Sequence, residues 1–314
     1  MSVTAFREMK PFSQLMFSAF VILVSFLVFI LISMLAVIPL FGLDSMLNIT
    51  TLNNLNDPET MRLLKYFQVV QSIGLFIIPP FILGWLFYGN PNDYLFLNRK
   101  VSAASTLFVV VMVFFILPFI NFIGEWNNQM HFPEWLSDVE NWMKNTEERA
   151  AELTEAFLKV ETTGGLLFNI FMIAFLPAIG EELLFRGVIQ RIFTNWTRSY
   201  HWGIWISAIL FSALHIQFYG FVPRLILGVL FGYLLVWSGS IWLPVIAHFF
   251  NNAFAVTAMF LIDHNILNPE VEDIGSTAES YYAAALSVVL VLILMWLIKK
   301  DNQGKEPGYV ITLQ

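Results

Sequence analysis

The sequence has no cysteine among its 314 residues, and only 12% of them are charged. The absence of cysteine excludes disulfides, thiolate metal ligands and cysteine nucleophiles. The scarcity of charge excludes an ordinary soluble enzyme, because soluble domains carry roughly 25% charged residues. It also excludes a disordered chain and a nucleic-acid-binding protein, since both depend on a high density of charge.

Apolar side chains are abundant instead: 58% of the residues are hydrophobic, and 32 are phenylalanine. A membrane-spanning helix needs about 20 mostly apolar residues, because each adds 1.5 Å toward roughly 30 Å of hydrocarbon. We predict an all-α polytopic membrane protein with about eight transmembrane helices. The predicted spans are residues 15–41, 66–88, 102–124, 165–190, 202–219, 221–238, 240–262 and 280–298.

The distribution of Lys and Arg among the loops predicts the orientation of these spans. With the N-terminus inside, the inner segments hold nine basic and four acidic residues. The outer segments, counted together with Arg224 at the outer start of the sixth span, hold six basic and seventeen acidic ones. Cytoplasmic loops are enriched in Lys and Arg, so both termini are predicted to be cytoplasmic. The expected location is the plasma membrane of a bacterium, with multiple passes.

Three regions are predicted along the chain. Residues 1–164 comprise the first three spans and an amphipathic extracytoplasmic segment at 125–164. Residues 165–262 form a catalytic core of four spans, and residues 263–314 comprise an acidic loop, the last span and a cytoplasmic tail. Apolar residues recur at helical spacing within 125–164, which predicts an amphipathic helix on the outer surface. A lid that gates substrate entry is the alternative.

Ionisable groups inside membrane-spanning segments are costly and mark functional sites. Here they are concentrated in the fourth, fifth and seventh predicted spans. The three motifs read Glu181-Glu182-Leu-Leu-Phe-Arg186-Gly187, Phe211-Ser-Ala-Leu-His215 and His248-Phe-Phe-Asn251-Asn252.

The two adjacent carboxylates are predicted to have different roles. Glu182 and Arg186 are four residues apart, which favours an ion pair on one face of a helix and a structural function. Glu181 lies about 100° around the same helix, so it can point elsewhere and is the predicted general base.

The histidines and asparagines complete a set suited to attack by an activated water. His248 and Asn252 share one face of a helix, Asn251 lies beside them as a supporting residue, and His215 comes from another helix. One histidine would hold the water, and the other, with asparagine, would stabilise the oxyanion. Arg224, near the start of the sixth span, is expected to snorkel to the membrane interface.

In this order the motifs resemble the CPBP family of intramembrane proteases, which includes CAAX-processing endopeptidases and bacteriocin-processing or immunity proteins. The similar region is residues 165–262, about a third of the chain. The resemblance implies eight membrane helices around a conical cavity that opens to the cytoplasm, with cleavage near that side. It implies that Glu181 activates water with help from His215, while His248 and Asn252 stabilise the tetrahedral oxyanion.

A divalent metal such as zinc would have Glu181, His215 and His248 as candidate ligands. The sequence does not require one, because it has no His-Glu-x-x-His helix and no cysteine. The expected partners are the lipid bilayer and a peptide or protein substrate, for which a membrane anchor or lipid group is an open alternative. No nucleic acid is expected.

Two other functions remain open from the residues. In a proton-coupled transporter, Glu181, His215 and His248 would relay protons, although no internal repeat supports this. In a non-catalytic immunity or scaffold protein, the motifs would serve helix packing alone.

Overall fold

The protein is a bundle of long helices, with no strand in the part of the chain that the structure describes. The structure, a computed structural model, describes residues 6–43, 45 and 54–303. The long helices of this part are α1 (Pro11–Phe41), α2 (Pro58–Tyr88), α3 (Ala103–Asn128), α4 (Ser137–Leu158), α5 (Thr163–Thr197), α6 (Tyr200–Ala213), α7 (Phe221–Ser238), α8 (Trp242–Asp263) and α9 (Tyr281–Asp301).

Seven of these described helices, all except α4 and α6, are long and apolar enough to cross a membrane. The all-α polytopic membrane class is thereby confirmed. The predicted span 202–219 is wrong in its extent: α6 has only 14 residues, about 21 Å at 1.5 Å per residue. His215, predicted to be helical, lies in the turn that follows. Its Nδ1 bonds the carbonyl oxygen of Phe211 at 2.8 Å, which satisfies one of the carbonyls left open at the helix end.

Helix α6 nevertheless completes an eighth pass through the bundle. At one end, which we name the basic end, the Ser105 hydroxyl at the start of α3 bonds Asp301 at the end of α9. At the other, the acidic end, Asn127 of α3 bonds the carbonyl oxygen of Phe218 in the turn between α6 and α7. The described chain therefore starts and finishes at the basic end. The termini themselves, residues 1–5 and 304–314, lie outside the described residues.

Helix α4 lies at the acidic end, in the segment predicted to be an amphipathic helix. In this helix Met143 and Phe157 are buried, whereas Trp142 is exposed, as is Trp135 just before the helix. Hydrogen bonds from the side chains of Lys144 and His131 lower the pKa of Glu140 to about 2. Above that pH the Glu140 carboxylate ties the start of α4 to the preceding segment.

The middle of helix α5 is buried in the bundle. Two wide π-helical turns, Ile170–Phe175 and Leu183–Ile189, flank the regular turns Leu176–Glu182 that carry the acid pair. Every residue from 182 to 190 is buried. Such π turns occur often at functional sites, because they re-aim the side chains that follow them.

Close helix packing holds α7 against α5 and α6, and it predicts the effect of one substitution. A Cβ on Gly232 of α7 would lie 2.8 Å from Cγ2 of Ile204 and 2.9 Å from Oε1 of Gln190. We expect Gly232→Ala to lower the free energy of unfolding by about 1–3 kcal/mol, as overpacking does. Thermal unfolding in detergent measures the change. Gly124→Ala is the matched control, since its Cβ would meet nothing nearer than Pro223 at 3.8 Å. An equal effect of the two substitutions would contradict this packing.

Candidate active site

The centre of the site is an ion pair buried in α5. Nη1 of Arg186 lies 2.9 Å from Oε1 of Glu182, and the two side chains are 1% and 0% exposed. The guanidinium also stacks on Phe211, with its carbon 4.6 Å from the ring centre, and donates a hydrogen bond to the carbonyl oxygen of Gly228. The structure thus forms the predicted pair and anchors it to α6 and α7.

The same carboxylate oxygen also holds His248. Oε1 of Glu182 accepts a hydrogen bond from Nδ1 of His248 at 2.9 Å, which assigns a proton to that nitrogen. The imidazole ring stacks on Phe231, at 5.5 Å between ring centres and 26° between planes. These two contacts fix the position of the ring. Its other nitrogen, Nε2, lies 3.9 Å from Oε2 of Glu181.

Glu181 and His215 face a cavity of about 500 Å³ from two sides. The Glu181 side chain is 13% exposed, whereas that of Glu182 is fully buried. The hydrogen bond between Nδ1 of His215 and Phe211 leaves Nε2 of His215 as the nitrogen available to a ligand. The two neighbouring carboxylates therefore have different surroundings: Glu182 is paired with Arg186, whereas Glu181 faces the cavity.

The asparagines of α8 line the same cavity. Nδ2 of Asn252 donates to the carbonyl oxygen of Ile173 at 3.0 Å, and Nδ2 of Asn251 donates to Oδ1 of Asn252 at 3.1 Å. Ile173 belongs to the first π turn of α5. Because an amide group has two N–H donors, Asn252 keeps one for a ligand. The predicted site residues Glu181, His215, His248, Asn251 and Asn252 thus meet at one cavity, with Glu182 and Arg186 behind it.

Three further contributors to this cavity were missed or misassigned from the sequence. Gln68 of α2 lines the wall, and its polar side chain within an apolar segment is the signal that could have revealed it. Arg224, expected to snorkel to the membrane interface, has its side chain on the cavity wall. Leu153 and Phe157 of α4 also line it, which favours the alternative that α4 covers the site.

A second cavity, of about 490 Å³, meets the first at Glu181 and His215. The shared wall also includes Gln68 and Phe211. Most of its other lining is apolar and comes from α1, α2, α5 and α6. We name the first cavity the polar chamber and the second the apolar chamber. The candidate general base thus lies where the two chambers join.

The location of the polar chamber sets two predictions against each other. Helix α4, at the acidic end, covers it, whereas His248, Asn251 and Asn252 lie in the half of α8 nearer the basic end. The family resemblance implies a cavity that opens to the cytoplasm, but the charge pattern predicts that α4 is extracytoplasmic. The two expectations therefore differ on which side of the membrane the polar chamber faces.

The donor set does not fit a metal site. Within residues 6–43, 45 and 54–303, no three His, Asp or Glu side chains are grouped as ligands. Of the candidate ligands, His248 has its Nδ1 bonded to Glu182 and its Nε2 3.9 Å from Oε2 of Glu181. The chemistry of the site is therefore considered below without a metal.

The different surroundings of the two carboxylates predict different effects on stability. Glu182→Gln removes the charge that compensates buried Arg186, so we expect a loss of about 3–5 kcal/mol, as for other broken buried pairs. Glu181→Gln, at the neighbouring position facing the chamber, is the matched control and should leave stability nearly unchanged. Thermal and denaturant unfolding in detergent compare the two. A greater loss for Glu181→Gln would show that the carboxylates are reversed.

Comparisons with known proteins bear on this region of the chain. Residues 163–254 match the family model described as type II CAAX prenyl endopeptidase Rce1-like. The chain is 32% identical over 89 residues to "Uncharacterized protein YpbD" of Bacillus subtilis (strain 168), a match that covers 27% of this chain and 42% of that protein. It thus spans less than half the length of this relative. No solved structure matches the chain. The family match includes every candidate site residue and confirms the resemblance of residues 163–254 to the CAAX-protease family.

Proposed function

We propose that this protein is an intramembrane endopeptidase that hydrolyses a peptide bond with water activated by Glu181. The observation that carries the proposal is the difference between the two adjacent carboxylates. Arg186 and His248 both contact Oε1 of Glu182, whereas Glu181 faces a chamber lined by imidazole and amide groups. A carboxylate free to accept a proton beside hydrogen-bond donors is the arrangement that general-base hydrolysis needs.

In the proposed reaction, Glu181 takes a proton from a water molecule held by Nε2 of His215, and the resulting hydroxide attacks the substrate carbonyl. Nε2 of His248 and Nδ2 of Asn252 stabilise the tetrahedral oxyanion. Nδ1 of His248 already donates to Glu182, so donation from Nε2 requires a ring that carries both protons. The protonated Glu181 then returns its proton to the leaving amine. No step uses a metal.

The two chambers suggest how such a substrate is bound. A short apolar part of a membrane segment fits the apolar chamber between α1, α2, α5 and α6, and the adjoining polar residues fit the polar chamber under α4. The scissile bond would then lie at the junction, beside Glu181. The proposed substrate class is therefore a peptide or protein anchored in the membrane by an apolar segment.

We further propose that the polar chamber lies on the extracytoplasmic side. The connections at the basic end carry most of the lysines and arginines near the spans, and those at the acidic end carry most of the acidic residues. The positive-inside rule therefore places α4 and the chamber outside. This replaces the cytoplasmic opening that the resemblance implies.

Loss of the general base tests the reaction. We expect Glu181→Gln to reduce cleavage by about 10²–10⁴-fold, because glutamine keeps the volume but cannot take a proton. Peptide ends in membranes of a strain with the wild-type protein, compared by mass spectrometry with those of Glu181→Gln and deletion strains, identify the cleaved substrate. Glu279→Gln, at an exposed position of the acidic end, is the control and should cleave normally.

Two outcomes would contradict the proposal. Wild-type cleavage by folded Glu181→Gln would remove Glu181 from the chemistry. Solute uptake by proteoliposomes, with no new peptide ends in cells, would instead support the transporter.

The orientation is tested with single cysteines, since the chain has none of its own. Asn195→Cys lies at the basic end and Glu279→Cys at the acidic end, both at exposed positions. We expect a membrane-impermeant maleimide to label Glu279→Cys in intact cells and Asn195→Cys only after permeabilisation. The reverse pattern would put the polar chamber on the cytoplasmic side.

A further inference from the structure

Arg224 places a second guanidinium at the candidate site, in surroundings unlike those of Arg186. It lies in the first turn of α7 and lines the polar chamber together with Glu181, His248 and Asn252. Its side chain is partly buried, whereas that of Arg186 is buried completely. A charged group in a membrane-spanning helix is costly unless it pairs with another charge or with a backbone carbonyl, and such groups often line substrate pathways.

The position of Arg224 is fixed by the turn before α7. Nη1 donates to the carbonyl oxygen of Gln217 at 3.2 Å, and Nη2 donates to the side-chain oxygen of the same residue. Gly220 makes room for this arrangement, because a Cβ there would lie 2.4 Å from Nη1. The guanidinium is therefore held in place before any ligand arrives.

Among the described residues the guanidinium forms no direct ion pair, although the carboxylates of Glu147 and Glu181 lie close enough to act on its charge. In the part of the chain that the structure describes, no carboxylate oxygen lies within 4.0 Å of the Arg224 guanidinium. Both of its hydrogen bonds go to neutral oxygens of Gln217. Because a guanidinium has five N–H donors, it retains donors for another acceptor. The planar fork of these donors matches a carboxylate, which it binds through two hydrogen bonds.

We propose that Arg224 binds a carboxylate of the substrate in the polar chamber. The ligand is either the α-carboxylate of a short C-terminal tail or the side chain of Asp or Glu close to the scissile bond. This inference rests on the proposed function, since it assigns the substrate class of the same site. Arg224 would thus be a specificity-determining residue that sets which peptide bond reaches Glu181.

The test measures binding in a protein that does not turn over. Glu181→Gln protein in dodecylmaltoside micelles is titrated into three probes that share an N-dodecanoyl-Gly-Leu-Val-Ala sequence and a neutral BODIPY dye. One probe ends in a free carboxylate, the second in a carboxamide, and the third in a carboxamide with Asp in place of Val. Fluorescence anisotropy gives the dissociation constants.

We expect a carboxylate-bearing probe to bind about 10- to 100-fold more tightly than the neutral carboxamide, as for hydrogen bonds to charged groups. The preference should disappear in Glu181→Gln/Arg224→Gln and return in part in Glu181→Gln/Arg224→Lys. A preference for the first probe assigns the α-carboxylate, and one for the third assigns the acidic side chain. Thermal unfolding confirms that each variant is folded.

Equal affinities for all probes, failure of every probe to bind the folded Glu181→Gln protein, or a preference that survives Arg224→Gln would overturn the proposal. Binding is measured without hydrolysis, so this result is independent of whether the wild-type protein cleaves a peptide. Absence of cleavage by the wild-type protein would contradict the proposed function, and absence of a carboxylate preference in the Glu181→Gln protein would contradict the role of Arg224.

Discussion

One carboxylate oxygen, Oε1 of Glu182, organises the site. It forms an ion pair with Nη1 of Arg186 and accepts a hydrogen bond from Nδ1 of His248, each at 2.9 Å, in a buried part of the bundle. Burying charge in this way is costly, and a buried pair is tolerated only where its geometry and remaining hydrogen bonds are good. Arg186 meets this demand by bonding Gly228 of α7 and stacking on Phe211 of α6. Helices α5, α6, α7 and α8 thus meet at this ion pair, and Nε2 of His248 faces Glu181.

The spacing of residues predicts the local part of this arrangement. Glu182 and Arg186 belong to one helix, so their separation of four residues is enough to predict the ion pair. The contact between Glu182 and His248 joins residues 66 positions apart and depends on how α8 packs against α5. The π turns on either side of the acid pair change the direction of the side chains along α5, and no simple periodicity predicts them. This second contact therefore needed the structure.

The residues at the edges of the site also depend on tertiary packing, which the sequence does not show. Apolar content located seven of the eight passes as long helices, but it could not show that α6 ends at Ala213 and leaves His215 in a turn. Arg224 near the end of a span favoured snorkelling, because hydropathy does not reveal a cavity beside the residue. The amphipathic pattern of α4 predicted a surface helix, whereas its role as a wall of the polar chamber depends on tertiary packing. Local periodicity thus predicts the positions of helices better than it predicts the cavities that form between packed helices.

The buried pair of Glu182 and Arg186 positions His248 in addition to any contribution it makes to stability. The measurement is the unfolding free energy and cleavage rate of the double variant Glu182→Met/Arg186→Met, which replaces both charges with apolar groups of similar volume. We expect folding close to wild type, because such replacements are often neutral or stabilising. Cleavage should still fall by about 100-fold or more, since small misplacements of a catalytic group have effects of that size. A folded double variant that cleaves at the wild-type rate would contradict the account.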